Sequence, residues 1–375
     1  MKRQQLKFWL LFMLAGAIFA ACEGPQGIAG LNGTDGTSGA DGTNGTDGTD
    51  GTDGNSTCLA CHSGETKANI DAQFSLSVHN SGLNAVDYAG GRSYCAECHS
   101  HQGFVQFATT GKVTGTISNP TAWECGTCHG LHETMEATDY ALRLTDPVKA
   151  IFNDEITMDL GGNSNLCANC HQSRRGEPSL TNPGEDTFFI SSTHWGPHHG
   201  AQANVVAGVG FAEIPGSVSY PEAGSSPHLA QASCTGCHMA DFDDEEDQGG
   251  HTWNPSLIAC NTCHGVNDTN FNYGSVRVDV AAKLETLRDE LVRLGVVEFA
   301  QESIYELNEE TGVIELVVQA GEYHVVPGTY PTVQAQAFFN YVGLDEDRSL
   351  GAHNPKYIQA LLQNSIEAIE GIPTP

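Results

Sequence analysis

The stretch Cys125-Gly126-Thr127-Cys128-His129 is one of six copies of the pattern C-x-x-C-H in this chain. The other copies are Cys58 to His62, Cys95 to His99, Cys167 to His171, Cys234 to His238 and Cys260 to His264. Histidine makes up only 16 of the 375 residues, yet one follows the second cysteine of every copy. The six copies therefore represent one kind of site repeated six times.

C-x-x-C-H is the attachment pattern of a c-type haem. Two cysteines three residues apart lie on one face of a helical turn, so both thiols reach the vinyl groups of one porphyrin while the next residue presents an imidazole to the iron. The predicted attachment residues are Cys58, Cys61, Cys95, Cys98, Cys125, Cys128, Cys167, Cys170, Cys234, Cys237, Cys260 and Cys263. The predicted proximal ligands are His62, His99, His129, His171, His238 and His264. Structural zinc sites also use cysteine pairs, but the invariable histidine favours six covalent haems.

On these motifs the chain resembles the multihaem c-type cytochromes from residue 58 to the C-terminus. The resemblance implies a multihaem cytochrome fold, mostly irregular, with short α-helices wrapped around six haems. Residues 58–275 fit this expectation because they are rich in Gly, Asn, Ser and Thr and show little regular periodicity. The porphyrins would supply the apolar surface that this region lacks, so 58–275 is predicted to be the six-haem domain.

The group opposite each proximal histidine decides between electron transfer and catalysis, because a second histidine closes the iron whereas an open position admits substrate. Ten further histidines are more than six closed sites require. The preferred distal candidates are His79, His132, His199, His228, His251 and His353. His132 lies three residues beyond His129, so as a ligand it would have to serve a neighbouring haem. The choice among His194, His198 and His199, and the role of His101, stays open, while His324 is expected to be structural.

The N-terminus indicates export. Lys2-Arg3 precedes an apolar run over 6–21, which is typical of a signal peptide. Phe19-Ala20-Ala21-Cys22 resembles the lipobox of bacterial lipoproteins, which implies lipidation of Cys22 and an outer-membrane lipoprotein on the periplasmic or cell-surface side. Cys22 is also the one cysteine outside the six motifs.

Acidic residues dominate the composition. Removing 1–21 takes away three of the 16 basic residues and none of the 46 acidic ones, so the formal charge becomes −33. Nucleic acid is therefore excluded as a partner on electrostatic grounds. The expected partners are redox proteins or extracellular electron acceptors, with the membrane reached through the lipid. The acidic run Asp241 to Asp247 is predicted to be a solvated loop, with calcium binding as the alternative.

Glycine occupies every third position from Gly24 to Gly54, as in a collagen triple helix. Proline occurs there only as Pro25, so a flexible tether is favoured over a trimeric stalk, although homo-oligomerisation through the repeat or through haem stacking stays open. Residues 22–57 are accordingly predicted to be a linker between the lipid and the haems.

The segment 276–375 is predicted to be helix-rich, to pack on the haem domain and to supply the distal ligand His353. Apolar residues recur with helical spacing from Val280 to Leu294 and stop at Gly295. Helices are also predicted over 331–342 and 355–369, the second with Asn354 as N-cap and Pro355 at its first position. A small hairpin is predicted to pair 313–318 with 323–326.

Two functions follow from these patterns. The first is a membrane-tethered hexahaem cytochrome that carries electrons along bis-histidine haems from a membrane-side donor to an extracytoplasmic acceptor, as an extracellular or filament-forming protein in one variant. The alternative is a multihaem reductase of nitrite, hydroxylamine or a sulfur oxyanion with one open haem. The surplus of histidines favours electron transfer, so the chain is predicted not to be an enzyme.

Overall fold

The computed structural model describes residues 59, 61–133, 140–264, 270–300, 303–308, 313–318 and 321–374. The predicted signal peptide (1–21), the lipidation site Cys22, the glycine repeat and Cys58 lie outside the described residues, so those predictions stay predictions. The described residues from 59 onwards belong to one compact unit.

Short helices and two-stranded sheets follow one another along the chain. The helices are α1 (Thr66–Ser75), α2 (Val78–Ser81), α3 (Leu83–Ala89), α4 (Ala96–His99), α5 (His101–Thr110), α6 (Cys125–Cys128), α7 (Ser164–Ala168), α8 (Pro178–Thr181), α9 (Gln202–Ala207), α10 (Pro227–Gln231), α11 (Ser233–His238), α12 (Leu257–His264), α13 (Val276–Arg293), α14 (Thr332–Asp347) and α15 (Pro355–Ile369). The strands are β1 (Val148–Ala150), β2 (Asn153–Met158), β3 (Thr187–Ile190), β4 (Val297–Ala300), β5 (Ser303–Asn308), β6 (Val313–Val318), β7 (Glu322–Val325) and β8 (Gly328–Pro331). Two 3₁₀ turns, Gly250–Thr252 and Tyr273–Ser275, complete the described elements.

Helix α13 has the predicted apolar face. Val280, Leu284, Leu287 and Leu291 are buried at alternating spacings of four and three residues, so they form one stripe along the helix. The helix ends at Arg293, and Gly295 follows with φ of 69°, the left-handed conformation that glycine adopts at little cost. The predicted helix and its glycine stop are confirmed.

Helices α14 and α15 pack against α13 and against each other. The side chain of Asn354 caps α15 by accepting a hydrogen bond from the Tyr357 backbone N–H at 3.4 Å, and Pro355 occupies the first turn as predicted. Helix α14 runs to Asp347 rather than ending at 342, because Gly343 and Leu344 continue its buried face.

The main apolar core crosses the predicted boundary at 275. It joins α13, α14 and α15 to aromatic and aliphatic residues from the 188–214 region, including Trp195, Val205 and Phe211. The side chain of Asn340 bridges the two regions, since it accepts from the Ala212 N–H at 2.9 Å and donates to the Ala212 carbonyl at 2.8 Å. Residues 188–214 are therefore packed with the C-terminal helices.

The predicted hairpin is wrong in its pairing. Strand β6 pairs with β5, and β7 pairs with β4, both antiparallel. Both strands of the prediction thus pair with the upstream segment 297–308 instead of with each other. The sequence contains the turn-favouring pair Thr311-Gly312 between β5 and β6, and the prediction placed the turn after β6 instead. Sheets β1–β2 and β3–β8 were not predicted.

The described part of 61–264 contains helices of ten residues or fewer, joined by irregular chain. A small second core, which includes Met158, Leu160, Ala168 and Val206, supports this region beside β1 and β2. Among the described residues, no helix combines the length and apolarity needed to cross a membrane.

Replacing Leu287 by Ala tests the C-terminal core. Leu287 is 0% exposed, so we expect Leu287→Ala to lower the free energy of unfolding by about 2–5 kcal/mol through lost burial and the cavity left behind. Denaturant titration followed by far-UV circular dichroism measures the change. Val278→Ala on the same helix is the control, because Val278 is 60% exposed and its loss should change stability by less than about 0.5 kcal/mol. Equal effects of the two substitutions would contradict this account of the core.

Candidate functional site

A single continuous cavity of about 2230 Å³ runs through the region of the motifs. Its walls include all eleven described motif cysteines and all six motif histidines. A site for one small ligand usually measures about 300–1,000 Å³, so this cavity has room for several large ligands. The motif side chains thus converge on one shared interior space.

Each motif with both cysteines described begins or occupies a short helical turn. In the motifs at 95–99, 125–129 and 167–171, the histidine backbone N–H donates to the carbonyl of the first cysteine at 3.1, 3.0 and 2.9 Å. The motifs at 234–238 and 260–264 lie within α11 and α12. Because one turn separates the two thiols, both lie on the same side of the helix beside the histidine.

Neighbouring motifs touch each other directly. The Cys98 thiol lies 3.6 Å from the Asn169 carbonyl oxygen, and the Cys170 thiol lies 3.8 Å from the Glu97 carbonyl oxygen. Helix α7, which leads into the motif at 167–171, also contacts the motif at 234–238, through the Ser164 and Thr235 hydroxyls at 3.1 Å. The 234–238 motif continues to the next one, because the Ser256 N–H donates to the Cys237 carbonyl at 3.4 Å just before α12.

Five of the six motif histidines face a histidine from a distant segment. The ring centroids are 6.2 Å apart in His62–His132, 6.0 Å in His99–His198, 6.0 Å in His171–His79, 6.2 Å in His238–His353 and 6.0 Å in His264–His228. All ten of these histidines line the cavity. The spacing is therefore nearly constant although the interplanar angles range from 22° to 88°.

This spacing fits a metal ion held between two imidazoles. With metal–nitrogen bonds of about 2.0–2.1 Å and about 1.2 Å from nitrogen to ring centre, two imidazoles on opposite sides of one metal have centroids about 6.4 Å apart. Centroid distances between packed aromatic rings range over about 4.5–7 Å. The five histidine pairs occupy only a small part of that range, between 6.0 and 6.2 Å. At four of the five pairs both motif cysteines are described, and a donor set of two cysteines and two imidazoles suits a covalently attached haem.

Hydrogen bonds orient several of these imidazoles. The Nδ1 atoms of His129, His238 and His228 lie 2.6, 2.7 and 2.5 Å from the carbonyl oxygens of Tyr140, Trp253 and Ala352. A carbonyl oxygen can only accept, so Nδ1 carries the proton and the lone pair is on Nε2. This is the usual arrangement of a metal-binding histidine, whose second nitrogen is held by a backbone carbonyl or a carboxylate.

Burial keeps several of these imidazoles neutral. Desolvation, followed by the nearby charge of His171, lowers the pKa of His79 to about 4. Desolvation, followed by the charge of Arg174, lowers the pKa of His198 to about 4. Burial likewise lowers the pKa of His99, His171, His238 and His251. Neutral imidazole is the form that binds metal.

The three histidines of the cluster at 194–199 have different surroundings. His198 and His199 both line the cavity, but His198 rather than the preferred candidate His199 faces His99. The His199 side chain is 78% exposed, and its Nδ1 lies 2.9 Å from a carboxylate oxygen of Glu346. His194 faces His324 at 5.8 Å, but neither belongs to a motif or lines the cavity. The sequence offered no signal to separate His198 from its neighbour, because adjacent histidines differ only in the direction of the side chain.

Two other histidines take different positions. His251 lines the cavity and is close enough to His129 for the His129 charge to lower its pKa further, after the main effect of desolvation. His101 does not line the cavity, and its Nδ1 lies 2.7 Å from the Thr127 hydroxyl. His101 therefore helps to fix α6 from outside the cavity.

The acidic run 241–247 shows no arrangement for calcium. Among the residues that the structure describes, no group of three or more His, Cys, Asp or Glu side chains is placed to hold a metal ion. Within the run, Asp243 and Gln248 exchange backbone hydrogen bonds at 2.8 and 3.2 Å. The geometry agrees with the prediction of a solvated loop and gives no support to the calcium alternative.

A glycine at the second motif offers a test of this packing. A Cβ on Gly103 would come within 2.6 Å of Ala96 Cβ, between the two cysteines of the motif. We expect Gly103→Ala to push α5 from α4 and to cost about 1–3 kcal/mol of stability, measured by denaturant unfolding. Gly126→Ala is the control, because a Cβ there meets nothing nearer than His101 at 3.6 Å. A loss of stability in the control but not at Gly103 would contradict the described contact.

Comparisons with known proteins complete the description of the site. No family model and no curated protein matches the chain. Among solved structures, it is similar to the outer cell wall cytochrome OcwA, with a TM-score of 0.48 and 15% identity over 80% of this chain and 50% of that chain. It is also similar to an undecahaem cytochrome from the S-layer of Carboxydothermus ferrireducens, with a TM-score of 0.45 and 15% identity over 80% of this chain and 41% of that one. The chain spans half or less of these two proteins, and scores this low do not transfer a function.

Proposed function

We propose that this chain is an exported c-type cytochrome that binds six haems covalently, each between two histidines, and transfers electrons without catalysing a reaction. The observation that carries the proposal is the single cavity lined by every described motif cysteine and every motif histidine, with a second imidazole opposite five of them. When bound, haem c supplies a one-electron couple at each site. The protein's part is to hold the imidazoles in line and to exclude water.

The proposed ligand pairs follow the ring contacts. They are His62 with His132, His99 with His198, His171 with His79, His238 with His353, and His264 with His228. For the sixth site we propose His129 with His251, on the weaker ground of their electrostatic proximity. His198 thus replaces His199, the candidate preferred from the sequence, in this set of pairs.

The contacts between motifs support transfer from site to site. The backbone and thiol contacts that join the motifs at 95–99, 167–171 and 234–238 hold three sites side by side. Lys67, Arg174, Arg277 and Arg348 line the cavity and suit the carboxylates of haem propionates. Electrons would therefore have at least three neighbouring sites in series within one chain.

The sequence supports a place for this series outside the cytoplasm. The apolar N-terminal run, Cys22 and the glycine repeat favour a lipid-anchored protein held at a distance from an outer membrane. With a formal charge of −33 after removal of 1–21, a donor or acceptor with a basic surface is the favoured partner. The function proposed is transfer from a membrane-side donor to an extracytoplasmic acceptor.

Electron paramagnetic resonance of the oxidised protein tests the proposal. Mass spectrometry should first find six covalently attached haems, and spin counting should then assign all six as low-spin with two histidine ligands. If one haem in six is high-spin and responds to nitrite, hydroxylamine or a sulfur oxyanion, the protein is a reductase. The site of His129 would then be examined first. A protein with bound zinc and no haem would overturn both functions.

The neighbouring histidines His198 and His199 form a matched pair of variants. We expect His198→Ala to convert one of the six haems from low-spin to high-spin, because it removes the imidazole opposite His99. His199→Ala should leave six low-spin haems, since this side chain is exposed and paired with Glu346. Both variants are measured by the same spin counting. The reverse result would restore His199 as the ligand.

A further inference from the structure

The imidazole of His353 differs from the other proposed ligands in its hydrogen-bond partner. Its Nδ1 lies 2.6 Å from a carboxylate oxygen of Asp347 at the C-terminal end of α14. The Asp347 side chain is only 1% exposed. Its other oxygen accepts a hydrogen bond from the Ser349 hydroxyl. Within the described residues no lysine or arginine pairs with Asp347, so its charge is directed at the imidazole.

Four other proposed ligands have neutral hydrogen-bond partners at Nδ1. His129, His238 and His228 donate to backbone carbonyls, and His171 Nδ1 lies 3.2 Å from the amide oxygen of Gln202. The site between His238 and His353 therefore has one ligand held by a carbonyl and one held by a carboxylate. Among the described proposed ligands, the carboxylate partner distinguishes this site from the others.

A carboxylate that accepts the Nδ1 proton increases the basicity of the imidazole, because it draws the proton towards itself and leaves more electron density on the other nitrogen. A more basic ligand stabilises the ferric over the ferrous iron, and outer-shell hydrogen bonding is one of the means by which proteins set haem potentials. Building on the proposed function, we propose that Asp347 is a positioning residue that lowers the reduction potential of the haem held by His238 and His353.

The reduction at this site is a one-electron step. With haem bound, one electron from a chemical reductant such as dithionite would convert ferric to ferrous iron, no covalent bond would form or break, and Asp347 would keep the proton of His353 Nδ1 in its hydrogen bond. The carboxylate acts only on the relative stability of the two oxidation states. Its effect is therefore measured as a change in the reduction potential of this haem.

The experiment compares the holoprotein with the variant Asp347→Asn in a reductive titration followed by optical spectra and by electron paramagnetic resonance. The amide is nearly isosteric but uncharged, so we expect the reduction equilibrium of one haem to shift about tenfold towards the ferrous form, about 59 mV for one electron. The other five haems should titrate as before, and all six should remain low-spin. His353→Met identifies the affected haem, because methionine ligation raises the potential of that same centre.

Glu346→Gln is the matched control. Glu346 is the preceding residue of α14 and also holds a histidine, but its partner is the exposed His199. Glu346 lines the same cavity, so removing its charge tests the effect of charge alone, and we expect it to shift the potential of the haem held by His238 and His353 much less than Asp347→Asn does. A double-variant cycle separates the hydrogen bond from simple charge, because the effect of Asp347→Asn should largely disappear when His353 is methionine.

A second variant tests the same hydrogen bond if Asp347→Asn does not fold. Ser349→Ala removes the hydroxyl that donates to Asp347, which should strengthen the bond to His353 and move the same potential in the opposite direction. No shift in either variant, an equal shift in Glu346→Gln, or an undiminished shift beside methionine would each overturn the role of Asp347. In each of these outcomes the protein would still contain six low-spin haems, so only the role of Asp347 would fail. A protein without attached haem would instead overturn the proposed function.

Discussion

The organisation of this protein depends on the constraint that two imidazoles from remote segments must face each other across about 6 Å. Five such pairs share this spacing although their partners lie on different elements and at different angles. Regular secondary structure cannot satisfy this constraint by itself, because the periodicities of helices and strands act over a few residues. The short helices and irregular connections of 61–264 are the consequence, since each segment must be free to direct one side chain.

The C-terminal helices provide the rigid frame for part of this arrangement. Helices α13, α14 and α15 bury a continuous apolar core together with the 188–214 region. The stretch between α14 and α15 contains Asp347, Ala352 and His353, which lie at two different sites: Ala352 orients His228, and His353 faces His238. A loop fixed at both ends by capped, packed helices can hold such groups more precisely than a free loop. The core is therefore part of the site, although its side chains carry no redox chemistry.

Features that depend on nearby residues could be predicted from the sequence, whereas most partners of the histidines and strands could not. The helices α13 and α15 and the cap by Asn354 could be predicted because each depends on residues within one or two turns, and the assignment of the motif cysteines as attachment residues rests on equally local spacing and stays a prediction. The short distance from His129 along the chain predicted that His132, as a ligand, would belong to another motif, and the structure has it facing His62. The identity of most partners could not follow, because it depends on how distant segments pack. The same reason explains the error in the hairpin, where alternating strands can pair with either neighbour, and the choice of His199 over His198.

The long separations within the histidine pairs link the binding of haem to the folding of the chain. Along the sequence the paired histidines are about 36 residues apart in His228–His264 and about 115 apart in His238–His353. Closing loops of this size costs entropy that grows slowly with length, and axial ligation would supply the compensating free energy, as metal binding does in small metal-dependent domains. A chain with a 2230 Å³ cavity and few long helices in this region has limited apolar packing of its own to set against that cost. Under the proposed function, the same bonds that carry the electrons therefore also hold the fold together.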